Sequence, residues 1–204
     1  MQLHKFADYD SYLAAERAGS RYRMNRGANA IEEETGRIVA YFHANRDRSP
    51  MKCLCHGARA GVEVRQFQKF IPKDAEVLGT DVFAKDPTCV IEWDYHKTKP
   101  EWERAFDLVY SNSLDHSPSP RECLATWLGQ LKPDGMLFLV WTFAHTLEER
   151  PLPYPGGDCF GAGLHEYIRL VQLAGGEVLD LLWCPVERLN DHVVIVAGRS
   201  MVKQ

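Results

Sequence analysis

Met51-Lys52-Cys53-Leu54-Cys55-His56-Gly57-Ala58-Arg59-Ala60-Gly61 joins a short apolar run to a turn bounded by two glycines. Val62, Val64, Phe67 and Ile71 follow at roughly helical spacing. A strand of four to eight residues, a glycine turn and an amphipathic helix form the opening unit of a parallel α/β sheet. Glycine permits positive φ and lets a ligand approach the backbone. The helix start behind the turn offers free N–H groups to an anion.

Outward from this segment the alternation repeats. Further strands are expected at Glu76–Asp81, Cys89–Asp94, Phe106–Ser111 and Met136–Trp141. A short helix is expected after Lys99-Pro100. Ser119, Pro120 and Glu122 read as a capping box with proline at the first helical position. Leu124, Trp127, Leu128 and Leu131 then share one face. Lys132-Pro133-Asp134-Gly135 is a turn, and the run behind it is apolar enough to be buried on both sides. A last helix carries Leu164, Tyr167, Ile168 and Val171 on one face and stops at Gly175-Gly176. The final strands, Val178–Trp183 and His192–Gly198, are separated by about eight residues, too few for a helical crossover, so they pair antiparallel. The expected fold is α/β: a doubly wound, mostly parallel seven-stranded sheet with a C-terminal antiparallel hairpin, plus N-terminal helices.

The 204 residues suit one large domain with an appendage. Residues 1–48 read as a helical extension or lid, with Phe6, Tyr9 and Leu13 on one apolar face and Ile31, Ile38 and Phe42 on another. Residues 49–204 form the sheet domain. A net charge of −4 argues against a nucleic-acid partner. No apolar run reaches the ~18 residues of a membrane span, so no membrane association is expected. The six cysteines have irregular spacing and mostly lie in apolar runs. They read as buried thiols of a reducing, cytoplasmic compartment. Both monomer and homodimer remain open.

Chemistry-bearing residues fall at strand ends, where open α/β sheets bind ligands. They are the turn Gly57–Gly61, Asp81 with Val82, Asp94 with Tyr95, and Ser111 leading to Asp115-His116. A carboxylate at Asp81 could accept two ribose hydroxyls, one at Asp94 an exocyclic amine, and the Tyr95 ring could cover a base. The Pro/Gly-rich stretch 146–160 is a candidate lid. Each feature also has a plain reading as a tight turn, a helix cap or a connection.

Taken in order over residues 50–200, these features resemble the class I S-adenosylmethionine-dependent methyltransferases. Lys132–Gly135 resembles that family's turn before its fifth strand. Tyr110–Ser117 is similar to a motif of methyltransferase-like proteins of unassigned substrate. The resemblance implies S-adenosyl-L-methionine as cofactor, held by His56, Gly57, Ala58, Arg59, Gly61, Asp81, Val82, Asp94, Tyr95 and Ser111. It implies O- or N-methylation of a small-molecule acceptor, for which Tyr9, Tyr12, Arg21 and Tyr22 are candidate contacts. His116 is the candidate base, oriented by Asp115, and His145 is a second candidate. No metal-ligand set is legible. Two positions depart from the family pattern: Cys55 stands where an acid is usual, and Arg59 replaces the middle glycine. Arg59 could compensate by pairing with the methionine carboxylate. Two other readings stay open: a non-catalytic binding module on the same fold, and a nicotinamide-dependent oxidoreductase. The G-x-G-x-x-G fingerprint of the oxidoreductases fails here at Arg59 and Val62.

Overall fold

The computed structural model describes residues 1–22, 32–146, 158–186 and 189–200. Seven strands form one sheet: β2 (Lys52–His56), β3 (Glu76–Asp81), β4 (Val90–Glu92), β5 (Phe106–Ser111), β6 (Leu131–Trp141), β8 (Gly176–Val186) and β9 (Leu189–Arg199). Their spatial order is β4-β3-β2-β5-β6-β9-β8. The first five run parallel, and β9 is antiparallel to both β6 and β8. This is the doubly wound sheet with a closing antiparallel hairpin that the strand pattern implies. A second, two-stranded sheet pairs β1 (Gln2–Leu3) with β7 (Phe160–Gly161). At two residues each, those strands have no periodicity to read.

Period-two alternation distributes the sheet's side chains between two cores. Leu54, Val109, Leu137, Leu139, Val193 and Ile195 meet α4 (Pro120–Gln130) and α5 (Leu164–Leu173) on one face. Cys53, Cys55, Leu108, Tyr110, Phe138 and Val194 meet α2 (Glu32–Arg46) and α3 (Val62–Phe70) on the other. Because helices cover both faces, the central strands β5 and β6 carry long buried apolar runs. The buried cysteines are free thiols.

The hairpin ladder runs from Gly176↔Arg199 to Val186↔Leu189, so both strands continue into the stretch expected to connect them. Pro185 lies in β8, an edge strand, at a break in the ladder register between Cys184 and Val186, where proline is tolerated. Ser119 does not form the expected capping box: its side chain makes no cap bond to α4. Its own N–H donates instead to Ser117 Oγ at 3.2 Å, and its carbonyl accepts from Cys123 N. Pro120 does occupy the first turn. Ile31 lies outside the described residues. Among the described residues, no helix is long and apolar enough to cross a membrane.

At the amino edge of the sheet, opposite the candidate site, Asp107 is fully buried. The β5–β6 ladder pairs Phe106 with Leu131 and then Leu108 with Met136, so Lys132–Gly135 loops out beside it. One Asp107 oxygen accepts from Arg48 and Lys132, each at 2.9 Å; the other accepts the Met51 and Lys52 N–H groups. Burial pushes its pKa up, but these donors outweigh burial and hold it below the usual carboxylate range. Asp107→Ala orphans two backbone donors and removes a carboxylate from Lys132 and Arg48, the latter keeping Asp134. It is expected to cost about 3 kcal/mol of unfolding free energy in a urea titration, with no direct effect at the opposite edge.

Candidate active site

The turn behind β2 keeps a glycine-like backbone even where glycine is absent. Gly57 and Gly61 have φ of 75° and 69°, and Arg59 also adopts positive φ, at 34°. A side chain at Gly57 would collide with Ser113, and one at Gly61 with Cys89. Ala58 N–H donates to the Thr80 carbonyl at 2.9 Å, tying the turn to the end of β3.

Asp81 ends β3 and is buried. Its Oδ2 accepts Arg59 N–H at 3.1 Å; its Oδ1 accepts Phe83 N–H at 3.0 Å and the Ser20 hydroxyl at 3.1 Å. Burial raises its pKa against these bonds. Beyond β4, Asp94 Oδ2 accepts the Tyr9 hydroxyl at 2.7 Å, and Oδ1 accepts His96 N–H at 3.0 Å. Burial acts to raise the Asp94 pKa, but the bonds from His96 and Tyr9 prevail and hold it well below the ordinary range.

Both hydroxyl donors come from α1 (Tyr9–Tyr22), which lies across this edge of the sheet. The buried face of α1 is Tyr12, Glu16, Gly19 and Ser20, not the Phe6/Tyr9/Leu13 stripe. It packs against polar strand ends, so its inward face is polar, and an apolar-periodicity search selects the wrong stripe. A cavity of about 280 Å³ opens beside it, lined by Leu13, Arg17, Val82, Glu92, Trp93, Asp94 and Lys97. Pockets for small ligands start near this size, at about 300 Å³.

Several expected site residues sit elsewhere. The His56 ring is in the core, stacked on Trp127 at 5.0 Å and bonded to Thr80 Oγ1 and Gln130 Oε1, each at 2.8 Å. Burial drives its pKa down to about 4, so it is a neutral core histidine at pH 7. Tyr95 is also buried, its hydroxyl donating to the Ser113 carbonyl at 3.1 Å and its ring packed on Trp127, so it covers no open pocket. Trp93 lines the cavity in its place. Ser111 is buried and donates to the His56 carbonyl while accepting Ser113 N–H. Ala58 is buried within the α3-side core.

Asp115 and His116 lie on a short 3-10 turn, Leu114–His116, after β5. His116 Nδ1 is 3.4 Å from Glu16 Oε2 of α1. Its Nε2 is 3.8 Å from Asp115 Oδ2 and 3.8 Å from Asp158 Oδ1. The His145 side chain and residues 147–157 of the candidate lid lie outside the described residues. Tyr12 is buried against the His96 and Tyr9 rings, and the Arg21 guanidinium lies 5.0 Å from the centre of the Phe83 ring.

Glu63 is a further candidate that the sequence pattern does not single out. It is buried in the first turn of α3. Burial lifts its pKa to about 7, opposed by the nearby Arg59 guanidinium and by a hydrogen bond with Asn112; Asp81 adds to the rise. The legible signal was an acid one residue past the start of the helix behind the glycine turn. Cys55 faces the same core, and burial keeps its thiol neutral, so Glu63 is a carboxyl beside the turn where Cys55 provides none.

No protein-family model matches the sequence, and no curated protein does. The folded chain, by contrast, superposes on many solved structures. The 1,6-didemethyltoxoflavin-N1-methyltransferase of Burkholderia thailandensis, solved with 1,6-didemethyltoxoflavin and S-adenosylhomocysteine, aligns with a TM-score of 0.73 at 16% identity, covering 97% of this chain and 92% of its own. An S-adenosylmethionine-dependent methyltransferase from Clostridium acetobutylicum aligns with a TM-score of 0.66 at 10% identity, over 88% and 96%. The [4+2]-cyclase SpnF aligns with a TM-score of 0.60 at 13% identity, over 86% and 85%. At these identities the shared property is architecture, and with the strand order β4-β3-β2-β5-β6-β9-β8 it shows that the chain has the class I S-adenosylmethionine-dependent methyltransferase fold.

Proposed function

We propose that the protein is an S-adenosylmethionine-dependent methyltransferase acting on an oxygen or nitrogen of a small-molecule acceptor. One observation carries this reading. Two acids at adjacent strand ends, Asp81 and Asp94, each accept a hydroxyl proton from α1 beside a cavity of about 280 Å³. Ribose hydroxyls are donors of the same kind, so a nucleoside can replace Ser20 on Asp81 without leaving the carboxylate unsatisfied. In this reading Asp81 holds the ribose, and Asp94, Val82 and Trp93 border the base. Arg59 takes the methionine carboxylate, and Glu63 supplies the negative charge missing at Cys55.

The cofactor would supply an electrophilic methyl group on a sulfonium. The chain's own task is then to orient the acceptor in line and exclude water. α1 serves both ends: Tyr9 and Ser20 reach the acids, and Glu16 reaches His116. His116 Nε2, beside Asp115, is the group placed to take a proton from the acceptor. Residues 1–48 are read accordingly as a covering element whose first helix shifts when the nucleoside enters.

Calorimetry with S-adenosylmethionine, S-adenosylhomocysteine and NAD tests the reading. Binding of the first two in the micromolar range, without NAD, is the expected result. Binding of none of the three would favour a module that keeps the fold without the chemistry, a reading for which Cys55 and Arg59 already speak. Ser20→Ala removes the hydroxyl that competes for Asp81 and is expected to tighten S-adenosylhomocysteine binding by about 3- to 10-fold. Arg59→Ala is expected to weaken it by about 10- to 100-fold through loss of a charge-assisted pair, and unchanged affinity would remove that role.

A further inference from the structure

We propose that Asp115, His116 and Asp158 form a binding site for a divalent transition-metal ion at the carboxyl edge of β5. One imidazole nitrogen and two carboxylate oxygens lie within 4.8 Å of one another. The two Nε2–oxygen separations of 3.8 Å exceed hydrogen-bond length. They are close to the spacing of ligands that share a metal, roughly 3 to 3.5 Å when each bond is about 2.1 Å. A contraction of well under an ångström would bring each oxygen to that spacing from Nε2.

The opposite face of the imidazole carries a second, independent feature. Glu16 Oε2 stands 3.4 Å from Nδ1. An ion on Nε2 leaves the ring proton on Nδ1, where the Glu16 carboxylate stands close enough to orient it. This carboxylate–histidine–metal arrangement orients ligating histidines in metal sites generally. The backbone holds the cluster together, since Cys159 N–H donates to the Asp115 carbonyl at 2.9 Å and β7 follows directly. Glu16 and Asp115 are buried, whereas Asp158 keeps partial solvent access, so an ion can enter on the Asp158 side.

An imidazole with two carboxylates suits Mn²⁺, Fe²⁺, Co²⁺ or Zn²⁺ better than Mg²⁺ or Ca²⁺, which favour all-oxygen shells. A metal on Nε2 occupies the lone pair that proton acceptance would use. The metal-loaded and metal-free proteins therefore differ in how they treat an acceptor. The site does not depend on the cofactor reading, because its residues and its test stand without a nucleoside.

The test is titration of the chelator-stripped full chain with Mn²⁺, followed by electron paramagnetic resonance of free manganese, and with Zn²⁺ by calorimetry, both without cofactor. One ion per chain is expected. Asp158→Asn, at a partly exposed position that should fold normally, should bind at least 10-fold more weakly. Glu16→Gln should bind about 10- to 100-fold more weakly, because it disturbs only the ring's orientation. The melting temperature should rise with metal in the wild type and rise less in Asp158→Asn. Absence of one-to-one binding up to millimolar metal, or equal binding by wild type and Asp158→Asn, would overturn the site. Equal binding by Glu16→Gln would overturn the orienting role of Glu16.

Discussion

Asp81→Asn is expected to weaken S-adenosylhomocysteine binding by at least about 100-fold and to abolish methyl transfer at ordinary cofactor concentrations. Both carboxylate oxygens are already acceptors: Oδ2 for the Arg59 N–H, Oδ1 for the Phe83 N–H and the Ser20 hydroxyl. An amide turns one acceptor into a donor aimed at a donor. Each hydrogen bond to a charged group contributes about 1.5 to 3 kcal/mol, so loss of the ribose contacts alone reaches two decades in affinity. Burial is the reason the effect is large, since no solvent is at hand to replace a lost acceptor. The same substitution loosens the glycine turn through Arg59 N–H, so the melt of the variant must be recorded beside its binding isotherm. Ser20→Ala separates the two effects, because it changes the donor and leaves the carboxylate in place. Tighter binding in Ser20→Ala together with lost binding in Asp81→Asn identifies the carboxylate as the ligand contact. Unchanged affinity in Asp81→Asn would show that no ribose sits there.

The sheet was legible because parallel strands buried on both faces leave uninterrupted apolar runs, of which Met136–Trp141 is the plainest. The acids were legible because they stand one residue type apart from such runs, at Asp81 and Asp94. What the chain does after a strand was harder to read. The backbone turns at Asp94–Lys97, with Lys97 N–H on the Asp94 carbonyl, and Tyr95 ends in the core while Trp93 borders the cavity. Linear order cannot tell those two aromatics apart. His56 looked like part of a ligand loop because it adjoins Gly57, yet it belongs to the strand and takes the partners a buried imidazole needs in Thr80 and Gln130. Asp158 is far from His116 in the chain, and the Cys159–Asp115 backbone bond helps bring them together. α1 was misread for a related reason. Periodicity finds apolar faces, and a helix laid over polar strand ends has a polar inner face.

Glu63→Gln is expected to stabilise the protein by up to about 3 kcal/mol above pH 7 and to have little effect below about pH 4.5. The native carboxyl has its pKa raised to about 7 by burial, against an ordinary value of 4.5. Between those values the native state holds a proton that the unfolded chain has released. Stability therefore falls as pH rises through this window, and the full penalty is in force above it. His56 acts with the opposite sign. Its native pKa is lowered to about 4 by burial from 6.5, so stability falls as pH drops from 6.5 toward 4. The two slopes oppose each other between about pH 4.5 and 6.5. Replacing Glu63 exposes the His56 slope there as a steady gain in stability with rising pH. Asp81, also raised by burial, repels the Glu63 carboxylate and so contributes to their difference. Urea unfolding of wild type and Glu63→Gln at half-unit steps from pH 4 to 8 measures that difference directly. A constant offset across the range would show that Glu63 titrates alike in the folded and unfolded chain. The same group would link stability to binding if the proposed cofactor places its ammonium beside Glu63, since that favours the charged form. Calorimetry of S-adenosylhomocysteine near pH 6.5, in buffers of unlike ionisation enthalpy, should then show a fraction of a proton released by the wild type and none by Glu63→Gln. Identical proton release in both would remove Glu63 from the ligand site while leaving its effect on folding intact.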